Sequence, residues 1–263
     1  MSLWRMEWAR SLRKRENYAF LLTWVITLVL LGGIGQALPV AADYTNISAT
    51  LITVLGLLLP LFILLTTALH WGQERESKRL NLLSTFTYPK WKFIFIRFSS
   101  FLVTQVLVLL LAFLIASLVV GQSFTTWIIL FVYATGLTIY ATALGTLLGL
   151  LGRKRIRAML LAFLTWVVLV LLWPTILVTI ISWLPYGIQV NGMIAALFVN
   201  GFDLMRIWAS TSVSSPDIFG SVYLQLLTWM NQPVGSVVVW ATLLATSGLL
   251  LWLASKMAWR KTS

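Results

Sequence analysis

The sequence contains six long apolar stretches, separated by short segments that carry almost all of its charge. Crossing the apolar core of a bilayer takes roughly 20 residues of helix, and lipid offers no hydrogen-bond partner to an exposed backbone. Each stretch is therefore predicted to cross a membrane as an α-helix. This pattern indicates an all-α integral membrane protein in which residues 1–263 form a single domain. The predicted spans are residues 18–38, 49–71, 98–120, 126–151, 158–183 and 236–255.

The composition agrees with a membrane protein, since 60% of the residues are hydrophobic and only 10% are charged. A net charge of +12 would also suit a nucleic-acid-binding protein. Here, however, the basic residues form short clusters between apolar stretches instead of one solvated face, so no nucleic-acid partner is predicted. The chain has no cysteine and a single histidine, His70. Disulfides, thiolate sites and sites built from several histidines of one chain are excluded, and no metal site is predicted.

The distribution of basic residues predicts the orientation. Eighteen of the 19 Lys and Arg residues fall in residues 1–17, 72–97, 152–157 and 256–263, which lie on one side of the predicted spans. The other side carries only Arg206. Because cytoplasmic segments are enriched in Lys and Arg, both termini are predicted to be cytoplasmic. The first apolar stretch exceeds the roughly 7–15 residues of a signal-peptide core, so a retained first span is favoured over a cleaved signal.

The N-terminal segment, residues 1–17, has the pattern of a helix lying flat in the membrane interface. Trp4, Trp8 and Leu12 recur at i, i+4 and i+8, with charged residues around most of the remaining surface. The alternative is an ordinary basic leader that anchors the first span. Spacing alone leaves both interpretations open.

The segment of residues 73–97 is predicted to begin with a short cytoplasmic helix. Glu74 and Lys78, and Glu76 and Arg79, are spaced to pair on one helix face. A charged helix held between two spans can transmit force from a soluble partner. The alternative is a solvated basic loop, and the spacing does not distinguish the two.

The segment of residues 184–235 is too long for a turn and is predicted to be extracytoplasmic. Its apolar part is too short to cross a bilayer, so we expect it to lie at the outer interface or to dip into it. Asn200 is a good N-cap, Asp203 lies in the first turn that would follow it, and Arg206 lies one turn further on. A structural capping role is favoured for these three residues.

The sequence shows no group that would catalyse a reaction or capture energy for transport. Within their predicted bounds, all six spans lack Asp, Glu, Lys and Arg. Ion-coupled carriers, by contrast, usually place ionisable groups within the membrane. A neutral sodium site made of hydroxyl and carbonyl oxygens stays open. The sequence has no phosphate-binding Gly-x-x-x-x-Gly-Lys-Ser/Thr loop and no set of acid, base and nucleophile. We therefore predict that the chain is not an enzyme, has no catalytic residue and carries no cofactor.

Two prolines and a row of hydroxyl groups distinguish the second and fifth spans. Pro60 and Pro174 lie mid-span, where each removes a backbone hydrogen bond and bends the helix. Thr175, Thr179 and Ser182 form a stripe on the outer half of the fifth span. Such a stripe could line a path for an amphiphilic cargo, but hydroxyls that bond a neighbouring helix or their own preceding turn are commoner.

The fourth span contains small residues at four-residue intervals, namely Ala141, Gly145 and Gly149. Small residues let helix backbones approach closely within a membrane. The pattern predicts close packing of this span, either within the subunit or against a second one.

Taken in order, these parts resemble the membrane subunit of type-2 ABC transporters: an interfacial N-terminal helix, six spans, a cytoplasmic coupling helix after the second span and an outer segment before the sixth. Two local patterns carry the resemblance. One is Glu74-x-Glu76 followed by Leu80-x-Leu82-Leu83 and Tyr88-Pro89. The other is Asn200-x-x-Asp203-x-x-Arg206, which is similar to the outer segment of the NosY-like branch. The named member of that branch serves maturation of the copper enzyme nitrous oxide reductase.

The resemblance implies an ATP-driven permease in the cytoplasmic membrane of a bacterium or archaeon, with both termini inside. Two copies would pair and bind two cytoplasmic ABC ATPase subunits, which would hold the ATP and Mg²⁺. The cargo path would run between the subunits beside the second and fifth spans, where Pro60 and Pro174 lie. The residues that would seat on the ATPase are Gln73, Glu74, Arg75, Glu76, Ser77, Lys78, Arg79, Leu80 and Leu83.

Several functions stay open on the sequence. The resemblance favours an exporter, or a conveyor of mechanical work to an extracytoplasmic partner, with copper-enzyme maturation as one case. A membrane scaffold without transport and an ion-coupled carrier are the alternatives, and a membrane enzyme is disfavoured. Apolar spans with scattered hydroxyls suit lipids, peptides and small drugs equally, so the sequence does not identify a cargo.

Overall fold

In the computed structural model, residues 3–12, 15–37, 46–77, 90–121, 123–183, 185–213, 229–230 and 232–258 are described. Every regular element in these ranges is helical. Six helices are long and apolar enough to cross a membrane, which confirms the prediction of a multi-pass all-α protein. We number these six the first to sixth spans.

The first four spans are α2 (Arg15–Ala37), α3 (Asn46–Glu76), α4 (Lys90–Val119) and α5 (Phe124–Gly152). The fifth span is composite, because a π-helix (Val167–Leu172) separates α6 (Arg155–Trp166) from α7 (Trp173–Ser182). The sixth span is α10 (Pro233–Ala258). Three further helices complete the described elements: α1 (Leu3–Leu12) before the first span, and α8 (Tyr186–Val199) and α9 (Gly201–Val213) before the sixth.

The spans are longer than predicted, and this corrects the sequence interpretation. The second span continues to Glu76, so Gln73 to Glu76 form its last turns and not the start of a separate helix. The third begins at Lys90 and includes Arg97. These longer helices therefore carry charged residues near their ends, which the predicted spans did not include. Glu, Lys and Arg are good helix formers, so charged ends extend a spanning helix beyond its apolar core instead of terminating it.

The fourth span lies at the centre of the bundle. It packs against the second, third, fifth and sixth spans and against α9. A Cβ atom added to Gly145 would lie 2.9 Å from Cβ of Thr67, and one added to Gly149 would lie 2.6 Å from Cβ of Trp71. Both neighbours are on the second span, and Ala141 is buried as well. The predicted close packing is confirmed and operates within the subunit.

Both ends of the described chain lie at the same end of the bundle. Trp4 near the N-terminus donates from Nε1 to Oγ of Ser99, at 3.2 Å. Ala258, at the end of the sixth span, belongs to the same apolar cluster as Trp71 and Ile94. We call this the basic end, because Arg97 and the other basic residues at the span termini lie there.

The predicted N-terminal helix is present as α1, residues Leu3–Leu12. Trp4 and Trp8 stack with ring centroids 5.5 Å apart, as their four-residue spacing suggests. The helix packs along the third span. Its placement in the membrane interface stays a prediction.

Helices α8 and α9 form a hairpin whose tip is Asn200. The tip reaches deep into the bundle, because Phe202 packs edge-on against Tyr140 in the middle of the fourth span, with centroids 4.9 Å apart. Helix α9 then returns towards the start of the sixth span, where Trp208 Nε1 donates to Oγ of Ser236 at 3.2 Å. The hairpin thus dips into the bundle, which two helices that turn back together can do without being long enough to cross a membrane.

Candidate functional site

At the basic end, three consecutive residues of the second span each bind a different neighbouring span. We call Glu74, Arg75 and Glu76 the junction. Glu74 is buried and its Oε1 accepts from Nη2 of Arg97 on the third span, at 2.6 Å. A buried and directly hydrogen-bonded ion pair of this kind strongly opposes separation, because breaking it would leave a charge without compensation.

The other two junction residues contact the fourth and fifth spans. Arg75 Nη1 donates to the backbone oxygen of Leu150, near the end of the fourth span. Glu76 Oε2 accepts from the backbone N–H of Arg155, the first residue of the fifth span, at 3.1 Å. Consecutive residues project about 100° apart around a helix, so three in a row can reach three different neighbours. The junction thereby connects the second span to the third, fourth and fifth.

Arg97 makes several further contacts at this end. Besides the bond to Glu74, its Nε donates to Nε2 of His70 at 3.2 Å, which places the imidazole proton of a neutral His70 on Nδ1. Its guanidinium carbon lies 5.9 Å from the ring centroids of both Trp71 and Phe93, within cation–π range. His70 in turn stacks on Phe101 with centroids 6.0 Å apart. The charge is therefore held in place from several sides.

A cavity of about 520 Å³ adjoins this network. It lies between α1, the start of the first span, and the second and third spans. Its walls are about equally polar and apolar and include carboxylates and guanidinium groups, among them Glu7, Arg15, Glu74 and Arg97. The volume is typical of small-molecule sites, and the charged groups in the lining can bind water or the polar part of a ligand.

The three predicted residues of the outer segment occupy the hairpin. Asn200 caps α9, because its Oδ1 accepts from the N–H of Phe202 at 3.1 Å. Asp203 and Arg206 form an ion pair of 2.7 Å. The predicted N-cap is present, and the ion pair is a further contact between residues one turn apart. Asp203 is buried, and a small cavity of about 60 Å³ lies between this pair, Val170 and Gly56 of the second span.

The hydroxyl stripe on the fifth span bonds mainly to its own helix. Thr179 Oγ1 donates to the backbone oxygen of Thr175, and Ser182 Oγ to that of Thr179, each at 2.8 Å. All three residues are exposed on the bundle surface. Pro60 is buried within a helix that is continuous around it, whereas Pro174 is the second residue after the π-helical segment. The two prolines therefore have different local structures.

Two residues of the network, His70 and Arg97, were not predicted, because both lie at the edges of the predicted spans. A signal was available for each. His70 and Glu74 are four residues apart and share one helix face. Arg97 is flanked by Ile96 and Phe98, and a charge inside an apolar run is a common mark of a functional position in membrane helices. Of the predicted ATPase-seating residues, Lys78, Arg79, Leu80 and Leu83 lie outside the described residues.

Comparison with known proteins gives no family assignment. No model of a known protein family matches the sequence, and a search of curated proteins finds no significant match. The function is therefore argued from the residues and their geometry.

Proposed function

We propose that this chain is the membrane subunit of an ATP-driven ABC transporter, which acts as a pair of copies with cytoplasmic ATPase subunits. In this proposal the basic end faces the cytoplasm, as the charge distribution predicts. The observation that carries the proposal is the junction. One turn of helix, at the position where the resemblance expects the ATPase to dock, is bonded to three further spans.

The junction supports a mechanical role, because each of its contacts can transmit a displacement of the second span to a neighbouring span. A push on the end of the second span would act on the third through Glu74 and Arg97, and on the fifth through Glu76 and Arg155. Packed helices and buried ion pairs move together, since sliding them apart would expose charge and open gaps. The arrangement therefore suits a subunit that receives force at one place and reorients several helices.

The different exposure of residues in the predicted docking segment supports different roles for them. Gln73 and Ser77 are exposed, whereas Glu74 is buried against Arg97. We expect Gln73 and Ser77 to contact the ATPase and Glu74 to transmit the force inward. The fifth span offers a surface for the second copy, because it lies at the periphery and exposes large apolar residues such as Leu164 and Val178.

The test distinguishes loss of ATPase binding from loss of force transmission between the ATPase and the spans. An affinity-tagged chain, purified from its native membranes, should carry a Mg²⁺-dependent and vanadate-sensitive ATPase. The bulky Ser77→Trp variant should lose the ATPase, because it alters the exposed surface. Glu74→Gln should retain the ATPase but fail to stimulate its turnover. Thr125→Trp, at an exposed polar residue near the opposite end, is the matched control and should behave as the parent chain.

Two results would contradict the proposal. One is a parent chain that purifies without any ATPase from membranes in which it is active. The other is unchanged turnover in both Ser77→Trp and Glu74→Gln. Export, work on an extracytoplasmic partner and copper-enzyme maturation are finer proposals that depend on the resemblance alone. A transport assay with each cargo class would distinguish them.

An ion-coupled carrier is the second candidate, and one observation favours it. The bundle holds ionisable residues that the predicted spans did not, including the buried carboxylates of Glu74 and Asp203. Ionisable groups at membrane depth are the usual sites of coupled protons or ions. Flux into vesicles that contain only the purified chain, driven by an ion gradient without ATP, would favour the carrier over the permease.

A further inference from the structure

The fifth span is locally irregular, because a π-helical segment is followed closely by a proline. A π-helix joins the carbonyl of residue i to the N–H of residue i+5, and the π-helical segment Val167–Leu172 ends just before Pro174. Leu169 is five residues before Pro174. Proline has no backbone N–H, so the π-helical partner of the Leu169 carbonyl is missing. The carbonyl needs another donor, because an unpaired polar group in an apolar surrounding is unfavourable.

The donor comes from the hairpin. Asn200 Nδ2 lies 2.7 Å from the backbone oxygen of Leu169 and donates to it. The same side chain accepts from the N–H of Phe202 through Oδ1, so both ends of its amide are used. Asn200 is fully buried, with 0% exposure. An amide at this position supplies one donor to the fifth span and one acceptor to α9.

We propose that Asn200 replaces the backbone donor that Pro174 removes and thereby fastens the hairpin tip to the fifth span. We call this contact the Asn200 latch. While it is closed, the π-helical segment and α9 move as one body. A displacement of the fifth span then carries Asp203 and Arg206 with it, or it must first release the Leu169 carbonyl.

The cavity next to the Asn200 latch shows that the latch joins two elements, the π-helical segment and α9, that are otherwise partly separated. The small cavity beside it separates Val170 of the π-helical segment from Asp203 of α9 and from Gly56 of the second span. The hydrogen bond therefore bridges elements that are not fully packed together beside it. The proposal concerns the single chain and holds whether or not an ATPase drives it.

The test is a thermodynamic cycle on the purified full-length chain in lipid nanodiscs. Asn200→Ser keeps an N-cap acceptor for Phe202 but is too short to donate to Leu169. Pro174→Ala restores the missing N–H. We expect Asn200→Ser to lower the Tm by about 3 °C or more in the parent chain, a shift typical of one lost buried hydrogen bond. In the Pro174→Ala background the loss should be less than half as large.

Pro60→Ala is the matched control, because Pro60 is also a proline inside a span but is not linked to Asn200. In that background, Asn200→Ser should lower the Tm as much as in the parent. Hydrogen exchange of Gly201–Val213 provides a second readout and should be faster in Asn200→Ser. Equal Tm losses in all three backgrounds, or no loss in the parent, would overturn the latch. If Asn200→Ser does not fold, recovery of folded protein by Pro174→Ala supports the latch, and no recovery overturns it.

Discussion

The fourth and fifth spans have nearly the same length but opposite places in the bundle. In the most apolar 18-residue window of each, 67% of the residues are buried in the fourth span and 17% in the fifth. The fifth is nevertheless the more hydrophobic of the two. Lipid is as apolar as a protein interior, so hydropathy drives both helices into the membrane without deciding which one is central. The shape of the helix surface decides which span is central, because close packing of helices in a membrane requires small residues.

The contacts of the two spans show this difference. Gly145 and Gly149 let the fourth span approach the second at backbone distance. The start of the fifth span also packs closely on the second, because a Cβ atom added to Gly72 would lie 2.8 Å from Cβ of Ala158.

Further along the fifth span, separate hydrogen bonds contribute to its contacts. Trp166 is buried and its Nε1 donates to the backbone oxygen of Leu57 at 2.9 Å, and the Asn200 latch is another such bond. A segment held by a few directional contacts can shift by exchanging them, whereas an interlocked segment cannot.

The largest effect is expected from adding a large side chain where the fourth span packs closely against the second. A side chain at Gly149 would meet the backbone oxygen of Ala68 at 2.8 Å and Trp71 at 2.6 Å. Gly149→Leu should therefore destabilise the bundle by about 3 kcal/mol or more, the upper range of overpacking. The measurement is thermal unfolding followed by fluorescence-detected size exclusion.

Two controls make that result specific. Gly248 in the sixth span has open space around its Cβ position, so Gly248→Leu should leave the Tm unchanged or raise it. Thr179→Leu places the same side chain on the exposed face of the fifth span and should also be tolerated. Similar decreases in Tm for all three variants would show that the fourth span is no more sensitive to an added side chain than the fifth and sixth spans.

The second prediction concerns what covers the fifth span. The sequence has no cysteine, so single-cysteine variants report one position at a time. At the exposed positions Leu164, Leu171 and Val178, at least one cysteine variant should form disulfide-linked dimers when membranes are oxidised. Leu177→Cys, at a buried neighbouring position, should stay monomeric. Crosslinking at none of the exposed positions would indicate that lipid, and not a second copy, covers this face.

The smallest effect is expected from removing one directional contact of the fifth span. Trp166→Phe keeps most of the apolar ring but loses the bond to Leu57. We expect a cost of about 1 kcal/mol, the typical net value of one buried hydrogen bond. Trp183→Phe is the control, because Trp183 is 82% exposed. A loss as large as that of Gly149→Leu would mean that the fifth span is as tightly interlocked as the fourth.

The features of the candidate sites that can be predicted from the sequence are those formed within a single helix. Asn200 as an N-cap and Asp203 with Arg206 as a pair follow from spacing within one helix, and both are present. The partners of Glu74 and Asn200 were not predictable, because Arg97 and Leu169 lie on other helices. Finding them requires the relative depth and rotation of two packed helices, which a single sequence does not specify.

The sequence by itself determined that six helices can span a membrane and that their basic residues gather at one end. These properties depend on transfer of each segment into lipid and on backbone bonds within it, and both are local. The tertiary structure decided which span is central, how deep the hairpin enters and which spans the junction connects. These depend on complementary shapes and polar partners far apart in sequence, and such partners meet only when the helices pack.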